Sequence, residues 1–188
     1  MLNKNKIKSI TTAAVLSALS IVMVFFMRTP IFATAPYLEY DPADVPILIG
    51  GIVLGPLWGL AIAIVVSGIQ AFTVSSGSGI YGFLMHVLAS GTLVLVVSLT
   101  QKYLKATETV RLIISVILGA ICATVVMVGA NLIITPYFLG APVSVVKELI
   151  LPIIIPFNLI KLGGNAIVTA LLYKTLKRFI NQYKDSYL

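Results

Sequence analysis

Three polar side chains, Asn158, Lys161 and Asn165, interrupt a stretch of sequence that is otherwise apolar enough to lie in a membrane. Because they are spaced three and four residues apart, an α-helix would place amide, ammonium and amide on one face. A cation inside a span costs roughly 2.5–3.5 kcal/mol on insertion scales, so it normally faces a polar interior. Lys161 could instead extend to the interface on the N-terminal side. We predict that this face binds a small polar ligand.

Other polar side chains lie in the apolar segments, and they belong to different predicted helices. They are Gln70, Tyr81, His86 and Asn131. Polar groups on several helices indicate a shared cavity that could hydrogen-bond a ligand. Bonds between helices, worth typically about 0.6 kcal/mol each, are the alternative for Gln70 and His86. His86 could also carry a proton or bind a metal, but it is the single histidine, so we predict no metal site.

The segment Arg28–Pro46 combines four prolines with three of the six acidic residues. Prolines restrict the backbone, so this segment is predicted to form a fixed lid over a ligand. Its side chains Tyr37, Glu39 and Tyr40 are candidates for covering the ligand, although tyrosines also collect at membrane interfaces. Asp44 directly precedes Val45-Pro46 and is interpreted as a helix N-cap.

The elements that must position these residues are membrane helices. Hydrophobic residues make up 59% of the 188 residues and charged residues 10%, where a soluble domain would carry about 25% charged residues. We predict an all-α membrane protein, a bundle of six transmembrane helices in a single domain over residues 1–188. The predicted spans are about Ile10–Met27, Val45–Leu54, Leu57–Val74, Ile80–Leu99, Val110–Ile134 and Leu149–Leu176.

Basic residues predict the orientation of the bundle. Ten of the thirteen lie at the two termini or after the fourth span: Lys4, Lys6, Lys8, Lys102, Lys105, Arg111, Lys174, Lys177, Arg178 and Lys184. With six spans these places share one side, and the positive-inside rule makes that side cytoplasmic. Both termini are therefore predicted to be cytoplasmic, with Arg28–Pro46 and Gly140–Glu148 outside. The net charge of +7 follows from this topology and indicates contact with lipid rather than nucleic acid.

Sequence motifs give no support for an enzyme. The chain has no phosphate-binding GxxxxGK[ST], no His-Glu-x-x-His and no GxSxG, so neither ATP hydrolysis nor a catalytic cofactor is predicted. Ser75–Gly79 is interpreted as a flexible connection. Ala14 and Ala18, four residues apart on the first span, form a small-residue face that another helix can approach closely. A secondary transporter would need a coupling-ion site, and a membrane scaffold would not explain Asn158 and Lys161 together.

Several motifs together resemble one transporter family. They are the Ala14-xxx-Ala18 face, Pro36–Pro46, Gly55–Gly59 and above all Ile155–Gly163. Across nearly the whole chain the sequence is similar to the S component, the substrate-binding subunit, of energy-coupling factor (ECF) transporters. It is most like the riboflavin-specific group. The resemblance implies a cell-membrane vitamin binder that docks on a transmembrane coupling protein carrying two cytoplasmic ATPases.

The same resemblance implies roles for individual residues. Ala14 and Ala18 would face the coupling protein, and Asn131, Asn158 and Lys161 would contact the vitamin. The third span, with Gln70, and the fourth, with His86, differ from the riboflavin pattern. The resemblance makes riboflavin the expected ligand, and these differences keep pyridoxine, a hydroxymethylpyrimidine and pantothenate open as alternatives.

Overall fold

The computed structural model describes the backbone of residues 4–185 and the side chains of residues 6–176 and 182. The charged groups of Lys4, Lys177, Arg178 and Lys184, which contribute to the predicted orientation, lie outside the described side chains.

Helices account for most of the described chain. They are α1 (Lys4–Met27), α2 (Asp44–Leu54), α3 (Pro56–Phe72), α4 (Gly79–Tyr103), α5 (Glu108–Leu139), α6 (Val143–Leu149), α7 (Ile155–Asn158) and α8 (Gly164–Asp185). The π-helical segments Ile150–Ile154 and Leu159–Gly163 join α6, α7 and α8 into one continuous rod. Six helical rods therefore follow one another in the described part of the chain.

Four of these rods are long and apolar enough to cross a membrane: Lys6–Met27, Gly79–Tyr103, Glu108–Leu139 and Val143–Leu176. The helices α2 and α3 have 11 and 17 residues and are shorter. Large apolar side chains cover much of the outside, such as Phe26 and Phe72, which are 84% and 88% exposed. Such a surface is stable in lipid rather than in water. Crossing by all six rods and the cytoplasmic placement of both termini stay predictions.

A tight turn brings α2 and α3 together as a hairpin. Gly55 adopts a φ of 102°, which disfavours a side chain, and Pro56 begins α3 at a position that needs no backbone donor. Gly51 and Gly59 then face each other so closely that a Cβ on Gly59 would lie 2.7 Å from the Gly51 Cα. The hairpin packs against α4, which also packs extensively against α5.

The last rod begins earlier than the sequence predicts. Helix α6 starts at Val143 rather than near Leu149, so only Gly140–Pro142 separate it from α5, and the placement of Gly140–Glu148 outside stays a prediction. Helix α5 likewise continues past Ile134 and includes Pro136. Pro152 lies in the first π-helical segment, and Pro156 opens α7. Pro152 and Pro156 lack a backbone donor, and the wider π-helical turn accommodates that loss.

The segment between α1 and α2 contains a feature that the all-α prediction omitted. Two short strands, β1 (Thr29–Pro30) and β2 (Glu39–Tyr40), pair antiparallel, with Thr29 opposite Tyr40 and Pro30 opposite Glu39. Proline and the flanking Thr and Tyr favour extended backbone, which explains the strands. Two backbone hydrogen bonds, from Ala35 to Phe32 and from Leu38 to Ala35, close the turns between them. We call residues 28–43 the cap loop.

Candidate ligand-binding site

A cavity lies between the cap loop and the ends of α4, α5 and the last rod. The centres of water molecules can occupy a volume of about 100 Å³ inside it. One water needs about 10–15 Å³ of such volume, so the cavity holds several waters. Seven of the ten side chains predicted to bind ligand line it: Tyr37, Glu39, Tyr81, His86, Asn131, Asn158 and Lys161. The other three, Tyr40, Gln70 and Asn165, are absent from the lining.

Lys161 lines the cavity and also holds the cap loop in place. Its Nζ lies 2.7 Å from Asp41 Oδ2 and donates to the backbone oxygen of Glu39 at 3.2 Å. Both side chains of the ion pair are buried. Burial raises the pKa of Asp41, but the Lys161 ammonium and the hydrogen bonds to the carboxylate outweigh burial, so the pKa lies below its ordinary value. Lys161 is therefore buried within the fold and is not on its surface.

Asn165 lies behind the cavity wall, where it connects the cap loop to α2. Its Nδ2 donates to the Asp41 backbone oxygen at 2.8 Å and to Asp44 Oδ2 at 2.9 Å, and its Oδ1 accepts from Tyr40 at 3.0 Å. The sequence placed Asn165 on the same face as Lys161. The structure keeps that relation, because both side chains bond to Asp41, but the Asn165 amide is taken up by the cap loop and α2 and does not line the cavity.

The N-cap interpretation of Asp44 is wrong. Asp44 is the first residue of α2, and the N-cap position is Ala43, with no side-chain capping bond. The Asp44 carboxylate is buried and accepts from Ser90 Oγ at 2.5 Å as well as from Asn165. Asp41 takes over part of the capping role, since its Oδ1 accepts from the Ala43 backbone N–H at 3.1 Å.

Two asparagines supply the amides of the cavity wall. The Nδ2 of each donates to the backbone oxygen four residues earlier, at 2.8 Å: Asn131 to Met127 and Asn158 to Ile154. These bonds fix the orientation of both amides. Thr135 donates to Asn131 Oδ1 at 2.8 Å, whereas no described group donates to Asn158 Oδ1. An amide nitrogen has a second hydrogen, so each asparagine retains capacity for a ligand.

An aromatic cluster forms another side of the cavity. Tyr37 meets the ring of Phe138 edge-on at 5.7 Å between centroids, and Tyr81 lies 6.0 Å from the same ring. The Tyr37 hydroxyl is buried and has no hydrogen-bond partner among the described residues. A buried hydroxyl left unpaired costs about 1–3 kcal/mol, so a ligand or ordered water that bonded to it would be stabilised.

Arg28 connects the cap loop to the segment between α3 and α4. It pairs with Glu39 at 3.2 Å and donates to the Val74 backbone oxygen and to Ser75 Oγ. Burial raises the pKa of Glu39, and Arg28 offsets part of that rise. The expected flexible connection Ser75–Gly79 is instead a hydrogen-bonded turn, in which Ser78 donates to the Ser75 backbone oxygen.

Helix α3 contributes Gln70 from behind the cavity wall. Its Nε2 lies 3.0 Å from Nε2 of His86, which faces the cavity from α4. Among the described residues, no three His, Cys, Asp or Glu side chains come together in a way that could hold a metal ion.

Several lining residues were not predicted as ligand contacts. Ser75, Ser78, Thr135 and Phe138 line the cavity, and Asp41 orients Lys161 from outside it. Thr135 lies one helical turn after Asn131, a spacing that could have indicated it. Asp41 gave no such signal, because its partner is 120 residues away along the chain.

Ala14 and Ala18 do not line the cavity and lie on the surface of α1. Both are exposed and line an apolar groove between α1 and α3 that also includes Trp58 and Val65. Ala13 and Ser17, on the neighbouring face of α1, are buried within the bundle. The small-residue face is thus open on the outside of the described fold.

Known proteins resemble this chain over almost its entire length. A model of the ECF transporter substrate-specific component family matches residues 8–173. The riboflavin transporter FmnP of Bacillus subtilis (strain 168) is 28% identical over 191 residues, which include 97% of this chain and 99% of that protein. The riboflavin transporter RibU of Staphylococcus aureus (strain TCH60) is 32% identical over 192 residues, 96% of each.

A solved structure of the S component of a bacterial ECF transporter has a similar fold. The two structures superpose with a TM-score of 0.79 at 31% sequence identity, covering 92% of this chain and 97% of the other. The similarity therefore extends over the whole fold rather than over a single motif.

Proposed function

This chain belongs to the family of substrate-specific components of ECF transporters, and we propose that it is a riboflavin-binding subunit for vitamin uptake. Two riboflavin transporters align with nearly all of it, which supports riboflavin over another vitamin. The structural observation that carries the proposal is the cavity under the cap loop, because it combines aromatic and hydrogen-bonding walls.

The two kinds of wall suit the two parts of an isoalloxazine. Its flat ring would pack against Tyr37 and Phe138, and its polar edge carries carbonyl and ring-nitrogen acceptors beside an N–H donor. Lys161 supplies only donors, whereas Asn131 and Asn158 can supply both donors and acceptors. The unpaired Tyr37 hydroxyl offers a further partner for the ring or the ribityl tail.

The charge balance of the cavity favours an uncharged ligand. Lys161 is paired with Asp41, and Glu39 with Arg28, so neither pair presents a net charge. Burying an unpaired carboxylate is costly, which disfavours pantothenate. Pyridoxine and a hydroxymethylpyrimidine are uncharged competitors that any binding test must include.

Transport would depend on partners. The chain has no ATP-binding motif, so the energy would come from two cytoplasmic ATPase subunits acting through a transmembrane coupling protein. The groove at Ala14 and Ala18 suits a helix of that protein, since small side chains permit close approach. The subunit would lie in the cell membrane as a multi-pass protein, with both termini in the cytoplasm.

Purification and titration test the ligand directly. Protein from cells grown with riboflavin should be yellow with stoichiometric flavin absorbance. Ligand-free protein should quench riboflavin fluorescence and should not respond to pyridoxine or a hydroxymethylpyrimidine. A colourless protein that ignores riboflavin but binds one of the competitors would overturn the riboflavin assignment and leave the vitamin-binding role in place.

A further inference from the structure

His86 and Gln70 form a polar pair that joins two helices beside the cavity. His86 is the single histidine of the chain, and it lines the cavity next to Met85 and Ala89. Gln70 is buried, with 4% of its surface exposed, and does not reach the cavity. Its Nε2 lies 3.0 Å from His86 Nε2 and 3.5 Å from Ser75 Oγ.

The hydrogen-bonding roles of this pair determine where the imidazole proton lies. Gln70 presents its amide nitrogen, which donates and does not accept, and in this orientation His86 Nε2 is the bare, accepting nitrogen. A neutral imidazole then carries its proton on Nδ1. No described protein group accepts a hydrogen bond from Nδ1 of His86. The ring therefore keeps one donor for a molecule in the cavity.

We propose that His86 is a specificity-determining ligand contact, and that Gln70 is a positioning residue that fixes its Nδ1–H tautomer. The donor would recognise an uncharged acceptor on the ligand: a carbonyl oxygen, a ring nitrogen or a hydroxyl oxygen. This inference rests on the proposed vitamin-binding function. It adds to that function a ligand contact on α4 and a positioning residue on α3.

The pair is also connected to the cap loop. Gln70 reaches Ser75 Oγ, and the same oxygen accepts from Arg28, which pairs with Glu39. A hydrogen-bond chain thus connects the Gln70–His86 pair to the segment that would cover the ligand. If the bond only joined α3 to α4, either tautomer could serve, because an amide can also turn its oxygen toward a ring N–H.

Nitrogen NMR reads the tautomer without any ligand. Because the chain has one histidine, the ring signals of ¹⁵N-histidine-labelled full-length protein in micelles all belong to His86. The wild type should show a bare Nε2 and a protonated Nδ1. Gln70→Glu presents an acceptor to the ring and should move a proton onto Nε2. Gln101→Glu, the same change at a glutamine bonded to Ser115 near the far end of α4, should keep the wild-type spectrum.

Riboflavin titration then tests the contact. His86→Phe keeps an aromatic ring but removes the donor, and should weaken riboflavin binding about tenfold. Gln70→Met keeps the side-chain length without the amide, and should give mixed tautomers with a several-fold loss of affinity. Gln101→Glu should bind as the wild type does. Riboflavin added to the wild type should shift the Nδ1–H signal more than the Nε2 signal.

Different results would contradict different claims. A proton on Nε2 in the ligand-free wild type overturns the tautomer assignment. An Nδ1–H signal that is unchanged at riboflavin saturation, or wild-type affinity in His86→Phe, overturns the ligand contact, and the NMR titration needs no variant to fold. A wild type that binds no riboflavin contradicts the proposed function instead, while its ligand-free spectrum still decides the tautomer.

Discussion

Lys161 pairs with Asp41 of the cap loop and also lines the cavity. Its variants should separate its role in holding the cap loop from its role in binding the ligand. Its ammonium is 2.7 Å from Asp41 in a buried pair, and the same side chain lines the cavity. Losing either partner of a buried pair leaves the other charge uncompensated, which costs about 3–5 kcal/mol. If a single Lys161 variant lost ligand binding, the cause could therefore be either lower stability of the fold or the loss of a direct contact with the ligand.

We expect Lys161→Met to lower stability by about 3–5 kcal/mol because Asp41 is left buried and unpaired. Its riboflavin affinity should fall about ten- to hundredfold as the ligand loses a donor. The double variant Lys161→Met/Asp41→Asn should regain most of the stability and little of the affinity. Thermal unfolding in micelles and fluorescence titration measure the two effects. Full recovery of affinity in the double variant would show that Lys161 acts only by holding the cap loop.

At the scale of elements, the cap loop is held at both ends by charged groups. Arg28 attaches its beginning to the α3–α4 segment, and Asp41 attaches its end to the last rod. The paired strands between them make the loop one ordered unit. Contacts at the Arg28 end are partly exposed, so they should be the weaker of the two attachments.

Removal of the Arg28 attachment should speed ligand release. Arg28→Gln loses the pair with Glu39 and weakens the bonds to Val74 and Ser75, together about 1–2 kcal/mol, or up to roughly thirtyfold in rate. Stopped-flow fluorescence measures the rate of riboflavin dissociation. Arg111→Gln, at the other end of the bundle, is the matched control. An unchanged dissociation rate in Arg28→Gln would mean that the loop does not limit release.

The small-residue face of α1 should act in assembly and not in binding. Leu at Ala14 or Ala18 would fill the groove beside Trp58 and block close approach of a partner helix. Recovery of the coupling protein and ATPases with tagged Ala14→Leu should fall, while riboflavin affinity stays at the wild-type value. Val15→Phe adds bulk on a neighbouring exposed face and serves as the control. Weakened riboflavin binding in Ala14→Leu would place this face inside the fold.

For the whole molecule, the cavity and the basic residues of the α4–α5 connection lie at opposite ends. The cap loop, Ser75–Gly79 and Gly140–Pro142 join helices at the cavity end, whereas Lys102, Lys105 and Arg111 lie at the α4–α5 connection at the other end. By the positive-inside rule the cavity would open to the outside, where a vitamin is captured.

Cysteine labelling of intact cells tests that orientation. Replacing the single cysteine by Cys122→Ala gives a background without thiols. Thr34→Cys in the cap loop should react with an impermeant maleimide, and Thr107→Cys between α4 and α5 should react only after the membrane is opened. Both positions are exposed in the fold, so access to solvent is matched. The reverse labelling pattern would invert the orientation.

The sequence by itself determined the helical class, the approximate position of each rod and the family. The length of an apolar stretch and the Gly or Pro residues at its ends are local properties of the sequence. Motifs such as Ile155–Gly163 are contiguous, so both signals can be recognised without knowledge of the fold. The family resemblance drawn from those motifs is confirmed by the match over residues 8–173.

Only the tertiary structure decided which polar groups meet. Asp41 and Lys161 are far apart in sequence, and Gln70 and His86 belong to different helices, so no local pattern pairs them. Asn165 lies beside Lys161 as the helical spacing predicts, since both bond to Asp41, but its bonds to the cap loop and α2 keep it out of the cavity lining. Helical spacing predicts which side chains share a face, whereas the partners of buried polar groups depend on which elements meet in the folded bundle.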